Sequence, residues 1–212
     1  FDGTDLRGAI LDDKMGDAAE LLGALRARPA TDALRNLDSL LSEHKRWVDS
    51  SASEGTRIDF SELDLTGLIR PGIKLAAAVL ERTTLRCAKL DKGEFAMAQM
   101  MFTDLRQASL TSADLRGANL SRSILRHADL SGADLGPVEH VGRSHQAWPV
   151  NLEYAKLSNA KLTRTRLVGA RLAMADLSDC DLVGADLRGA DLSGTLLDGA
   201  NLKEAKLDQP LG

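Results

Sequence analysis

The chain has 212 residues, 31 acidic and 27 basic for a net charge of −4, and only 3 % are aromatic. A balance this close announces neither nucleic acid nor an anionic membrane as a partner, and an interior with so few rings must be filled by Leu and Ala. No apolar run approaches a membrane span, no signal peptide is apparent, and Cys87 and Cys180 are too far apart for a disulfide framework, which suits a reducing, cytoplasmic setting.

Residues 1–11, FDGTDLRGAIL, set large residues at Phe1, Leu6 and Leu11 and small ones at Thr4 and Ala9, a stub of a five-residue repeat. The repeat is already running at Phe1, which is not Met, so the chain reads as a piece of a larger protein. From Asp12 the pattern turns helical, and 12–55 predict a pair of amphipathic helices. Ala18, Leu21, Leu22 and Leu25 mark the apolar face of the first, and Pro29 ends it. Thr31 is placed to cap the second, which carries Leu34, Leu37, Leu40, Leu41, His44, Trp47 and Val48 before Ser50–Gly55 stop it. Such a pair cannot bury its faces alone. It is expected to cover the open lower edge of whatever follows.

Across 58–135 the five-residue period is strict, with sixteen units from Phe60 to Leu135. Leu105, Leu110, Leu115, Leu120, Leu125, Leu130 and Leu135 recur, each with a small residue two places earlier. Neither the period of about 3.6 of a helix nor the 2.0 of a strand produces this, so the chain is a repeat architecture. Phe95 and Met100 stand in for leucine, while Arg70 beside Pro71 breaks the large position and predicts a bulge or adjusted turn at Ile69–Gly72. Residues 136–151, GPVEHVGRSHQAWPVN, interrupt the period as an inserted loop, and 152–209 resume it for twelve more units, Leu152 to Leu207.

ADLRG (Ala113–Gly117), ANLSR (Ala118–Arg122), ADLSG (Ala128–Gly132), ADLRG (Ala185–Gly189), ADLSG (Ala190–Gly194) and ANLKE (Ala200–Glu204) follow an A(D/N)LXX pattern. In these residues the chain resembles the pentapeptide-repeat family. The resemblance implies a mainly β fold, a right-handed parallel quadrilateral β-helix of four units per coil. Its central leucines and small residues point inward. The helical pair would precede it, with four coils in 58–135 and three in 152–209. Stacked at a sheet spacing of about 4.8 Å, seven coils make a rod roughly 34 Å long.

A twenty-residue coil turns outward side chains into columns. Lys156, Lys161, Arg166 and Arg171 fall directly beneath Asp176, Asp181, Asp186 and Asp191, a register device of exposed ion pairs worth about 0.2–1 kcal/mol each. Arg86, Arg106 and Arg126 stack in one column, and Arg82, Phe102 and Arg122 in its neighbour, where the ring can take a cation on each side. The arginine column is either a site for an acidic or phosphate-rich partner or a solvated face, the plainer reading. Met97, Met101 and Phe102 point outward, either as an adaptable docking surface or as residues covered by the helices or the loop. In the loop, His140, Arg143, His145 and Trp148 have the composition of a binding hot spot, although Trp148 folded back over an interrupted β-edge is the plainer reading.

No nucleophile–base set, phosphate loop or cysteine metal motif is present, and a two-histidine loop without a nearby carboxylate pattern is weak evidence for a metal site. A regular rod also lacks the concave pocket an enzyme needs. Neither catalysis nor a cofactor nor a metal is expected. The reading is a non-enzymatic scaffold for an unidentified protein partner, of bacterial, cytoplasmic type and either a monomer or an end-to-end dimer. Direct nucleic-acid binding and a membrane span are not expected. The alternative comes from the family resemblance: one branch mimics duplex DNA, binds DNA gyrase and protects it from quinolones. A mimic should be acidic along its length, yet 58–135 carry ten acidic and ten basic residues, and 152–212 nine and eight.

Overall fold

A computed structural model describes residues 28–139 and 147–208. The repeat stub at 1–11 and most of the first expected helix lie outside them. Within them the chain forms a β-helix of seven coils with four faces, and each five-residue unit contributes one side of a coil.

The unit can be followed at Leu110. Its side chain is fully buried, and its N–H donates to Asp129 O in the coil above at 2.7 Å. One residue earlier, Ser109 N–H donates downward to Ala88 O at 2.8 Å. Ser112 takes a positive φ of 55°, and Ala113 N–H closes the turn on Leu110 O at 3.1 Å, the geometry of a type II turn. Ala113 enters the core with 1 % exposure, since only a small side chain fits where the chain bends inward.

Asp or Asn precedes so many central leucines for a local reason. Asp129 Oδ1 accepts the N–H of Ser131 at 3.0 Å, and Asn119 Oδ1 that of Ser121 at 3.2 Å. The side chain thereby satisfies a turn N–H that the coil above leaves free. Where Thr replaces the small residue, its hydroxyl is satisfied inside the core, as in Thr83 to Phe60 O at 2.8 Å and Thr103 to Leu80 O at 2.8 Å. Phe95 fits one leucine position because Gly93 stands in the small position, where a Cβ would lie 2.3 Å from the ring.

Four bridge columns define the faces. They begin at Asp59, Asp64, Ile69 and Lys74, called here the first to fourth face, and end at Asp191, Leu196, Asn201 and Lys206. Arg70 does not cause the expected bulge: its N–H reaches Lys89 O at 3.0 Å, Gly72 N–H reaches Asp91 O at 2.8 Å, and Ile69 pairs with Lys89. Among the described residues no further coil lies below the bottom one, and the half-exposed Arg70 side chain lies 3.6 Å from Asp38 of the helix beneath.

Strand β1 (Arg28–Pro29) pairs in parallel with β2 (Leu63–Asp64). Helices α1 (Thr31–Arg35) and α2 (Leu37–Asp49) follow it, and Ala30 and Leu37 join the same apolar core as the coils. Thr31 is the first helical residue rather than the cap; Ala30 takes the cap position and offers no side-chain bond. His44 fastens α2 to the first coil. Its Nδ1 accepts Ile58 N–H at 3.1 Å, so its Nε2 is the nitrogen that donates to Ala76 O at 3.0 Å. Burial, aided by the Arg57 charge and opposed by the Ala76 bond, lowers the His44 pKa and keeps the ring neutral.

The stack runs through the inserted segment without losing phase. Asn119 pairs with Asn151, Ile124 with Lys156 and Asp134 with Arg166. Strands β3 (Val138–Glu139) and β4 (Ala147–Trp148) form an antiparallel ribbon at the corner between the fourth and first faces. The ribbon leans on that corner, and Gly117 (φ 63°) makes room for it: a Cβ there would meet Met97 Sδ at 2.6 Å and Val138 Cγ2 at 3.1 Å.

Candidate functional site

Regular coils bury one residue pattern and present another, so function must be sought on the faces. The second face and the corner before it are unlike the others. Down that corner run Arg82, Phe102, Arg122, Tyr154 and Met174, each two places after a central residue of the first face. The Arg82 and Arg122 guanidinium carbons sit 5.4 and 6.0 Å from the Phe102 centroid, and Arg122 sits 5.1 Å from that of Tyr154. The expected sandwich of Phe102 is present, and Tyr154 extends it past the insertion.

Beside the ladder lie Arg86, Arg106 and Arg126. Arg106 is not an exposed member of a stripe: it is 7 % exposed and gripped by Asp104, with Nη2 to Oδ2 at 2.6 Å and Nε to Oδ1 at 2.9 Å. Arg86 and Arg126 are partly buried, and Arg126 Nε is enclosed without a hydrogen-bond partner. Among the described residues, Arg70, Arg106, Arg116, Arg166, Arg171 and Arg188 of the coils each have a carboxylate oxygen within ion-pair reach. Arg82, Arg86, Arg122 and Arg126 have none, and of the coil arginines only Arg164, on another corner, shares that state.

Above this cationic part the surface becomes apolar. Tyr154, Met174 and Leu196 are 50, 55 and 54 % exposed, and with Phe102, Arg122, Lys156 and Asp176, whose carboxylate is bonded to Ser178 N–H, they line a shallow groove of about 430 Å³. Tyr154, Met174, Leu196 and Lys156 were not among the candidates read from sequence. The signal was a step of twenty residues that becomes thirty-two across the insertion, from Arg122 to Tyr154.

The other candidates are dispersed. Met101 and Phe102 are partly buried on the first face and its corner, and Met97 lies against the ribbon at the opposite edge of that face. Trp148 is 38 % exposed and its backbone pairs with Val138. His140, Arg143 and His145 lie outside the described residues. The second-block charge columns are in register, but the cations pair downward: Arg166 with Asp134 at 3.0 Å, Arg171 with Glu153 at 2.5 Å and Lys161 with Asp129 at 4.0 Å. The upper aspartates bond their own turns, as Asp181 does with Val183 N–H at 3.2 Å and Asp191 with Ser193 N–H at 3.0 Å.

Cys180 is buried in a small-residue position, its Sγ 3.0 Å from Leu157 O, and burial pushes its thiol up to about 12; Cys87 is exposed. No group of three His, Cys, Asp or Glu among the described residues could hold a metal ion. Among them, too, no helix is long and apolar enough to cross a membrane.

Comparison with known proteins agrees with the repeat. Residues 98–136, 150–184 and 175–209 match the pentapeptide-repeat family, described as pentapeptide repeats in eight copies. No curated protein matches. A pentapeptide-repeat protein of the Arabidopsis thaliana thylakoid lumen is 24 % identical with a TM-score of 0.43, over 50 % of this chain and 66 % of that one. A trypsin-treated form of QnrB1, a plasmid-mediated fluoroquinolone resistance protein, is 20 % identical with a TM-score of 0.36, over 72 % and 86 %. HetL of the cyanobacterium Nostoc sp. strain PCC 7120, involved in heterocyst differentiation regulation, is 24 % identical with a TM-score of 0.20, over 77 % and 95 %. Repeat, coil geometry and family match converge: the chain belongs to the pentapeptide-repeat family.

Proposed function

We propose that this chain is a non-enzymatic protein-docking scaffold, with the second face and the Arg82–Met174 corner as its docking surface. The observation that carries the reading is the gathering, on one rigid face, of four arginines without carboxylates and three apolar side chains about half exposed. Elsewhere on the coils, polar side chains largely satisfy one another or their own turns. Met101, on the adjoining first face, belongs to its periphery, and the Trp148 ribbon stands at the far edge of that face. A cytoplasmic setting is part of the proposal, supported by two unpaired cysteines, and a monomer or an end-to-end dimer through the last coil is compatible with it.

A photo-crosslinking residue at Tyr154, and separately at Arg164, tests the face in cells. Adducts to a protein from position 154 and none from 164 are expected; equal labelling from both positions removes the assigned face. The gyrase-binding reading has the inserted ribbon in its favour and the charge balance against it. Purified protein is expected to leave DNA gyrase supercoiling unchanged at micromolar concentration, with or without a quinolone. Inhibition or protection that disappears on deleting Pro137–Pro149 would establish that reading instead.

A further inference from the structure

Resting on the docking reading, we infer that the occupant of the second face is an acidic amphipathic α-helix of a partner protein, lying along the solenoid axis. Charge comes first. The lower half of the surface presents Arg82, Arg86, Arg122 and Arg126 without ion pairs, and Asp104, which lies among them on the face, is held by Arg106. Like charges recurring every second coil repel one another and work against the fold. The enclosed Arg126 Nε adds an unmet donor. An incoming carboxylate relieves both.

Spacing comes next. Arg86 and Arg126 are two coils apart, as are Arg82 and Arg122, and coils repeat at about 4.8 Å. A helix repeats at about 5.4 Å, so carboxylates two turns apart follow such a column with a drift of about 1 Å over two coils, well within side-chain reach. Continuity with the apolar half completes the match. Tyr154, Met174 and Leu196 follow in the same direction, so the helix needs an acidic segment followed or preceded by Leu, Met or aromatic residues on the same side.

A nucleic acid fits the same surface less well. The Phe102 ring is sandwiched by guanidinium groups and Tyr154 is stacked on one, which leaves little ring face for bases. The exposed Met174 and Leu196 offer nothing to a sugar–phosphate backbone.

The test is selection of a helix-display library, with randomised surface positions on a stable helical scaffold, against the immobilised 212-residue chain. Enriched clones are expected to carry Asp or Glu at two-turn spacing beside an apolar stripe. They should lose about tenfold in affinity in Arg126→Ala or Arg86→Ala, and weaken as salt rises. Arg164→Ala should leave binding unchanged, and circular dichroism confirms that the variants stay folded. A labelled twenty-nucleotide single strand is expected not to bind at micromolar concentration in 0.15 M salt.

Neutral or basic clones, clones indifferent to Arg86 and Arg126, or an oligonucleotide bound through Arg126 overturn the acidic-helix assignment. If clones enrich but bind through Trp148 or another face, that assignment falls while docking survives. Failure to enrich any clone removes both.

Discussion

At the residue scale, His44 has the sharpest chemistry. The fold uses its neutral form, because Nδ1 must accept the Ile58 N–H and a protonated ring cannot. The folded state therefore holds the proton more weakly than the unfolded chain. The contribution of His44 is fully present above the ordinary value of about 6.5 and is lost as pH falls from there through the lowered folded value. Thermal melts are expected to show a lower Tm at pH 5.5 than at pH 7.5, with the difference largely abolished in His44→Gln. An equal drop in both proteins would assign it to other groups. The aspartates before the central leucines answer to a different test. Asp181→Leu loses the bond to Val183 N–H and should cost about 1 kcal/mol in chemical denaturation, whereas Asp181→Asn should cost little. Equal loss in both would mean that charge, not the turn bond, governs the position. The five-residue pattern made the buried leucines readable from sequence. It could not reveal that Asp104 draws Arg106 inward or that the upper aspartates ignore the lysines beneath them, because those outcomes depend on which neighbour wins each hydrogen bond.

At the element scale, the ribbon and the helices attach to the coils differently. The ribbon leans on a corner, while α2 shares the core through Leu37 and is fastened by His44. Gly117→Val should displace the ribbon and raise Trp148 accessibility to a fluorescence quencher while leaving coil secondary structure intact. An unchanged quenching constant would show that the ribbon does not rest there. Leu37→Ala should cost about 2–5 kcal/mol, measured by denaturant unfolding, since it opens the lowest layer of the core. The helical period of α2 was legible because it breaks so plainly from five. The straight passage of the chain past Arg70 was not, because it depends on the coil having no coil beneath it and on Asp38 lying where it does.

At the scale of the whole molecule, stability accrues coil by coil, each in contact only with its neighbours. Hydrogen exchange is expected to be slowest for the central-residue amides of the middle coils, Leu105 to Leu135, and faster toward both described ends. Uniform protection would indicate a single indivisible unit. The same one-dimensional order explains what sequence could reveal of the candidate site. Columns within 58–135 were readable, so Arg82, Phe102 and Arg122 fell together. Columns spanning the insertion were not, since Tyr154 joins Arg122 only once the pairing of Asn119 with Asn151 sets the phase.

That pairing has an architectural meaning. A loop that leaves and rejoins a rod with no net rotation works as a side port: its length and composition can drift while every column above it stays in line with the one below. The second face can therefore keep one continuous ruler across the junction at Ile124 and Lys156 while the ribbon is free to acquire, change or lose a partner of its own.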